Sequence, residues 1–379
     1  MDFLFSNEQL LAKQLFEEFT EKEVKPLAAK IDEEEIFPLE TIKKMAKLGM
    51  LGIPFPKESG GSGGDYITYI LLVEELAKAC ASTSIIVSAH TSLCCWPIFT
   101  YGNQKQKEKY LRPLLQGTKI GAFALTEPNA GTDAASQQTT ARLQDNHYVL
   151  NGSKVFITNA AHADVFIVFA MTDRSKATKG ISAFIVERGF DGFRIGKIEH
   201  KMGIRGSSTA ELVFDNCKVP RDNLLGEEGM GFKIAMSTLD GGRIGVAAQA
   251  LGIAEGAFNE CVKYMKDRKQ FGKTLSSFQG LQWYIAEMAT QIEAARNLVY
   301  KAAWKKQNNL PHTVDAAMAK LFASEISMKV TTTVVQIFGG YGYTKDYPVE
   351  RMMRDAKITQ IYEGTSEVQK MIIASHVLK

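Results

Sequence analysis

Apolar and polar positions divide the chain into three stretches with different periods. Over the first third the period is helical. Ser6-Asn7-Glu8-Gln9 has the form of a capping box, and Leu11, Leu15, Phe19 and Val24 follow at helical spacing. Pro38 stands at a first helical position, Ile42, Met45 and Leu48 share one face, and Gly49 stops the run. Residues 58–65 (Glu-Ser-Gly-Gly-Ser-Gly-Gly-Asp) break the pattern. This glycine run has neither the Lys-Ser/Thr of a phosphate-binding loop nor a strand before it, so it reads as a connector whose Asp65 caps the next helix. Strongly apolar helices are expected over 69–79 and about 82–95.

The period changes near residue 120. Residues 148–157 read as two short strands around an Asn151-Gly152 hairpin turn. Further strand-like runs cover 165–171, 181–186 and 210–214, separated by Thr172-Asp173 and Asp215-Asn216. From Gly231 the helical period returns over 232–267, 277–307 and 313–338, with a last short helix near 364–375. Short connections and lengths of this kind suit a four-helix bundle. The expected class is α+β in three domains: helical over 1–120, β over 121–225, and a helical bundle over 226–379.

A length of 379 residues fits two or three domains rather than one core. The 45 basic and 42 acidic residues leave a net charge of +3, which gives no reason to expect nucleic acid or an anionic membrane as the partner. The five cysteines (Cys80, Cys94, Cys95, Cys217, Cys261) form no C-x-x-C pair, so neither a metal site nor a redox dithiol is expected, and reduced buried thiols are. The N-terminal Met-Asp-Phe-Leu-Phe lacks the basic and apolar regions of a leader, and no apolar run reaches spanning length. A cytoplasmic protein without membrane insertion is expected.

Candidate chemistry sits in three separated segments. Residues 123–133 (Phe-Ala-Leu-Thr-Glu-Pro-Asn-Ala-Gly-Thr-Asp) end an apolar run in a turn rich in hydroxyls and backbone N–H groups. By composition alone it is an ordinary loop. The other two are QIFGGYGYTKDYPVERMMRD (336–355) and IYEGTSEVQ (361–369). In this order, the three resemble the acyl-CoA dehydrogenase family, and most nearly its bacterial short-chain (butyryl-CoA) members, over essentially the whole chain.

The resemblance implies FAD lodged between the β domain and the C-terminal helices, and α,β-dehydrogenation of an acyl-CoA thioester or the reverse enoyl-CoA reduction. It implies Glu363 as the base that takes the α-proton, with Gly364 letting substrate pass close to the backbone. Some members carry the base at the position of Gly242 instead; glycine there leaves Glu363 without a rival. Phe123, Leu125 and Thr126 are implied along one edge of the flavin, and Phe156, Ile157 and Thr158 on its other side. Thr365 and Glu367 would reach the pyrophosphate and ribose. Arg268, Phe271, Gln279, Gln336, Gly339 and Gly340 would meet the FAD of a neighbouring subunit, in a homotetramer built as a dimer of dimers. Thr132, Asp240 and Arg243 would approach the CoA portion of the substrate. His90 is expected to pack or hydrogen-bond, and Trp96 to belong to the core.

The implied electron partner is electron-transferring flavoprotein, in some members within an electron-bifurcating complex. Three alternatives stand beside this. One is an aryl-acryloyl-CoA (caffeyl-CoA-type) reductase, differing only at the acyl end of the pocket. Another is an acyl-CoA oxidase, against which the short length argues. The third is a non-enzymatic flavin electron-relay subunit, against which the retained Glu363 argues.

Overall fold

The computed structural model describes residues 5–379; the part of the N-terminal reading that falls on residues 1–4 lies outside them. The chain folds in the expected helical–β–helical order. Ser6 caps the first helix, Asn7–Phe19, and forms the capping box with Gln9. The buried face of that helix is the expected one only at its C-terminal end, where Phe19 and, beyond the helix, Val24 are in the core. Leu11 and Leu15 are exposed, while Phe16 enters the core. Several registers of one helix look apolar in this sequence, and the neighbours choose among them. Asp65 caps Tyr66–Ala79 by accepting from Thr68 N at 2.7 Å. Helix Ala81–Ser88 runs on through a π-helical stretch, Ala89–Cys95, into Trp96–Tyr101. His90 is buried there, near Leu114 O (3.1 Å) and accepting from Gly121 N (3.1 Å), as a packing residue does.

The middle of the chain forms an eight-stranded mixed sheet. Its strands are β1 (Gly121–Ala124), β2 (Thr140–Gln144), β3 (His147–Thr158), β4 (Val165–Met171), β5 (Ile181–Glu187), β6 (Phe193–Ile198), β7 (Thr209–Pro220) and β8 (Leu224–Leu225). The order is β6-β7-β3-β2-β4-β5-β8, with β1 parallel to β4 off that path. Every residue of β4 is buried. Alternation sends Phe166, Val168 and Ala170 into the larger core and Val165, Ile167 and Phe169 into a second one with Phe55, Leu111 and Ile234.

Asn151-Gly152 does not make the expected hairpin. β3 passes straight through both residues, and the turn back to β2 falls at Asp145-Asn146, where Asp145 has φ 51°. Gly152 sits instead at φ 143°, beside a register shift in the β3–β7 pairing between Leu150 and Gly152. A bulge, not a turn, uses the glycine: a Cβ there would lie 2.6 Å from Thr139 Oγ1.

The C-terminal bundle consists of Gly231–Asp267, Gln279–Gln307, Thr313–Phe338 and Val349–Thr359, followed by Ser366–Val377. Val349–Thr359 lies inside a segment the hydrophobic period left unassigned. The 37-residue helix Gly231–Asp267 is the axle of the molecule. It packs so closely on Tyr66–Ala79 that a Cβ on Gly252 would lie 2.3 Å from Glu74 O. The loop before β7 meets both helical domains: Gly206 N donates to Ser82 Oγ (3.2 Å), and Ile204 N to Asp355 Oδ1 (2.5 Å). All five cysteines are free and buried. Among the described residues no helix is long and apolar enough to cross a membrane.

Candidate active site

Glu363 stands in the turn between Val349–Thr359 and Ser366–Val377. Ile361 N and Tyr362 N both bond Ile358 O (2.9 and 3.1 Å), and Ser366 N returns to Gln360 O (2.9 Å). Between them Glu363 and Gly364 take left-handed φ values of 52° and 94°. A left-handed glutamate is strained, so surrounding groups must hold it. Lys320 Nζ donates to Gly364 O at 2.7 Å. Gln369 Nε2 donates to the same oxygen (2.9 Å) and to Glu363 O (3.4 Å). Tyr362 OH donates to Gln249 Oε1, and Gln249 Nε2 to Ala81 O (3.0 Å). The turn is thus tied to the axle helix and, through it, to the N-terminal domain.

The Glu363 carboxylate lies against Gly242. A Cβ built on Gly242 would fall 2.1 Å from Glu363 Oε2 and 2.7 Å from Leu93 Cδ2, so all three share one space. Glu363 as a residue is half-buried, but its Oε2 is enclosed and has no hydrogen-bond partner. Burial raises its pKa to about 7, against the opposing charges of Lys320 and Arg243. A carboxylate without partners is costly to enclose. Here the cost leaves a group that can take a proton near neutrality.

Phe123 lies in β1, Leu125 and Thr126 follow it, and Phe156 and Thr158 stand at the end of β3. Val155 N donates to Thr126 O (2.9 Å), which sets the two segments side by side. Phe156 has φ 59° and its side chain is turned outward, 65% exposed. Ile157 departs from expectation. It pairs with Ala210 and its side chain is in the core, because alternation along the strand turns it inward. Only its backbone can face a ligand.

Behind both segments lies Lys154, which the sequence did not single out. It is wholly buried and donates to Glu127 Oε1 (2.8 Å), Leu125 O (3.1 Å) and Gln137 Oε1 (3.1 Å). All three ammonium hydrogens find acceptors. Lys154→Met would leave the Glu127 carboxylate uncompensated, with an expected loss of about 3–5 kcal/mol of stability. Adding Glu127→Gln is expected to recover part of it. Urea denaturation of the single and double variants checks both statements.

A second group gathers at the far end of the axle helix. Arg268, Gly339, Gly340 and Tyr341 line an open cleft of about 480 Å³. The Arg268 guanidinium lies 5.2 Å from the Tyr341 ring centre. Phe271, 91% exposed, tips the hairpin formed by the short strands Lys269–Gln270 and Lys273–Thr274 beside it, and Gln279 and Gln336 are exposed. From Gly242 to Arg268 the helix advances 26 residues, about 39 Å at 1.5 Å each. This group and Glu363 of the same chain are therefore far apart.

Asp240 and Arg243 stand one turn apart beside Gly242 and are ion-paired (2.5 Å). Asp240 Oδ2 also accepts from Thr313 Oγ1 (2.7 Å), and the buried Arg243 Nε has no partner. Thr132 is exposed in the loop after β1, and Glu367 is exposed in the first turn of Ser366–Val377. Thr365 caps that helix, its Oγ1 accepting from Val368 N (3.3 Å). On the other side of Gly241, Tyr66, Tyr69, Trp96 and Lys306 line a slot of about 10 Å³, space for about one water. Lys306 Nζ sits 3.9 Å from the Trp96 ring centre, and burial lowers its pKa to about 8. Trp96, expected in the core, is half-buried with one face to this amine. Lys306 was not foreseen either: Lys305-Lys306 at a helix end reads as solvated charge facing the dipole.

The described residues thus hold an enclosed carboxylate with a pKa raised to about 7, and, where β1 and β3 end, an exposed aromatic ring at Phe156 with backbone beside it. Family models for the N-terminal, middle and C-terminal domains of acyl-CoA dehydrogenase match residues 6–118, 122–217 and 229–378, and the chain belongs to that family of FAD enzymes. It is 64% identical to the short-chain specific acyl-CoA dehydrogenase of Clostridium acetobutylicum, over all of both chains. The solved butyryl-CoA dehydrogenase of Megasphaera elsdenii superposes with a TM-score of 0.98 at 57% identity, again over all of both chains. A chain in the structure of the electron transferring flavoprotein of Acidaminococcus fermentans, described toward a mechanism of flavin-based electron bifurcation, gives 0.99 at 57% identity and full coverage of both.

Proposed function

We propose that this chain interconverts a short-chain acyl-CoA and its enoyl-CoA with Glu363 as the base, exchanging electrons with an electron-transferring flavoprotein in the cytoplasm. The observation that carries the reading is the enclosed, partnerless Glu363 Oε2 with a pKa of about 7. The acyl size rests on the short-chain relatives. The electron partner rests on the Acidaminococcus flavoprotein structure.

The residues present fit FAD. Phe123, Leu125, Thr126, Phe156, the Ile157 backbone and Thr158 offer an apolar edge with hydroxyls. Thr365, Glu367 and the N-terminus of Ser366–Val377 suit a pyrophosphate and ribose. The cleft holding Arg268, Gly339 and Gly340, with Phe271, Gln279 and Gln336, lies too far away to serve its own Glu363, and suits the FAD of a second copy in a homotetramer. FAD, when bound, takes up the β-hydrogen as hydride.

The rest belongs to the chain. Asp240, Arg243 and Thr132 bind the CoA portion, and Gly364 leaves room for the thioester. The Glu363 N–H donates to the thioester oxygen as negative charge develops there. The Glu363 carboxylate removes the α-proton and holds it. Leu93 and the buried helix Gly231–Asp267 keep bulk water from that proton.

Anaerobic visible spectroscopy of the purified holoprotein tests the reading, with butyryl-CoA and an aryl-propionyl-CoA added separately. Bleaching of the flavin band by butyryl-CoA is the expected result. Failure of butyryl-CoA to bleach the band, with or without bleaching by the aryl substrate, would refute the short-chain assignment.

A further inference from the structure

Lys320 is fully buried on helix Thr313–Phe338, yet it forms no ion pair at contact distance among the described residues. Its Nζ donates to a neutral atom, Gly364 O, at 2.7 Å. Enclosing an ammonium costs several kcal/mol unless an anion compensates, and one carbonyl is poor compensation. A neutral side chain could fill the space and make the same hydrogen bond. Gln369 already makes it, at 2.9 Å to the same oxygen. The charge at Lys320 therefore calls for an explanation that the hydrogen bond does not supply.

We propose that Lys320 is the positioning residue of the catalytic turn, clamping Gly364 O and using its positive charge to keep the neighbouring Glu363 carboxylate ionised and ready to take the α-proton. The inference rests on Glu363 being the base.

The surroundings leave Lys320 this task. The groups facing Glu363 are Lys320 on Thr313–Phe338, Arg243 on Gly231–Asp267, Tyr66 and Tyr69 on Tyr66–Ala79, and Tyr362 on its own turn. Burial holds all three tyrosines neutral. Arg243 is committed to Asp240 by an ion pair, which spends much of its field. Lys320 has no such contact. Glu363, Glu325 and Glu367 all favour its protonated form, while burial and Arg243 disfavour it, and the balance is a pKa of about 8. Near neutral pH it is therefore mostly charged.

Lys320→Gln separates charge from hydrogen bond, since the amide can still donate to Gly364 O. Lys320→Arg keeps the charge. The experiment follows the rate of flavin reduction by butyryl-CoA against pH in each holoprotein, and the carboxyl 13C NMR titration of Glu363, assigned by its loss in Glu363→Gln. In Lys320→Gln the acid limb and the NMR midpoint are expected to move up by about 1 pH unit, lowering the rate at pH 7 about fivefold. In Lys320→Arg both are expected to stay at the wild-type position. An NMR midpoint unchanged in Lys320→Gln overturns the proposal, as does an equal shift in both variants. If Lys320→Gln does not fold, Lys320→Arg decides through its midpoint, where a rise overturns the proposal. Failure of the wild type to bleach would count against the dehydrogenase reading instead, because the NMR titration needs no turnover.

Discussion

Glu363→Gln is expected to cut the rate of flavin reduction by about 1,000-fold or more while FAD content and acyl-CoA affinity change little. General-base catalysis contributes about 100- to 10,000-fold. The upper part of that range applies because the described structure offers no second carboxylate at Gly242, where Oε2 would meet an added Cβ at 2.1 Å. The backbone donor at residue 363 survives the substitution, so ground-state binding of the thioester should persist. Stopped-flow mixing with butyryl-CoA measures the rate, and absorbance of the resting protein measures FAD. The same variant is expected to be more stable than wild type at high pH. Burial raises the Glu363 pKa to about 7 in the folded protein, against an ordinary value of 4.5, so its ionisation opposes folding. Any stability it contributes is fully present below about pH 4.5 and is lost as pH rises through 7. The difference is about 3 kcal/mol at full ionisation, at 1.36 kcal/mol per unit. Urea denaturation at pH 5 and pH 8 checks it: wild type should weaken relative to Glu363→Gln between the two.

The three-domain order was legible because period alone separates strands from helices, and the long bundle helices carry little competing signal. β4 was found at its observed limits because an unbroken apolar run of seven can hardly be anything but a doubly buried strand here. Asn151-Gly152 misled because a turn dipeptide says that a backbone is unusual without saying how; Gly152 serves a bulge at φ 143°. Leu11 and Leu15 misled because apolar spacing does not tell which side of a helix a neighbour will cover. The candidate site divides in the same way. Glu363 is singled out only through the motif around it, since a Glu-Gly pair alone reads as a solvated turn. Lys154, Lys306 and Lys320 left no trace. Each is a charged residue in an element whose polar positions are mostly solvated, and only the tertiary fold shows that their ammonium groups are enclosed. Buried charge that supports a site is the class of feature that hydrophobic patterning cannot reveal.

Gly242→Ala tests how tightly the Glu363 carboxylate is held, and its expected effect is a loss of about 100-fold in the rate of flavin reduction, with FAD retained. The new methyl would sit 2.1 Å from Glu363 Oε2 and 2.7 Å from Leu93 Cδ2, well inside contact distance. One of three things must yield. The axle helix is buried on nearly every side through this region, so its backbone has nowhere to go. Leu93 is itself in the core, at 7% exposure. The carboxylate is the least constrained of the three, because Oε2 has no hydrogen bond to lose. It is therefore displaced, and misplacing a reacting group by about 1 Å costs on the order of 100-fold. Stability should change little by comparison. Alanine favours a helix by about 1 kcal/mol over glycine, and overpacking a core takes back about 1–3 kcal/mol. The diagnostic is the background. With Glu363→Ala the space is vacant, so Gly242→Ala should there become neutral or stabilising in urea denaturation. The two sites should couple by about 1–3 kcal/mol. Additive effects would mean that the carboxylate lies elsewhere in solution, and that the glycine at 242 answers to Leu93 alone.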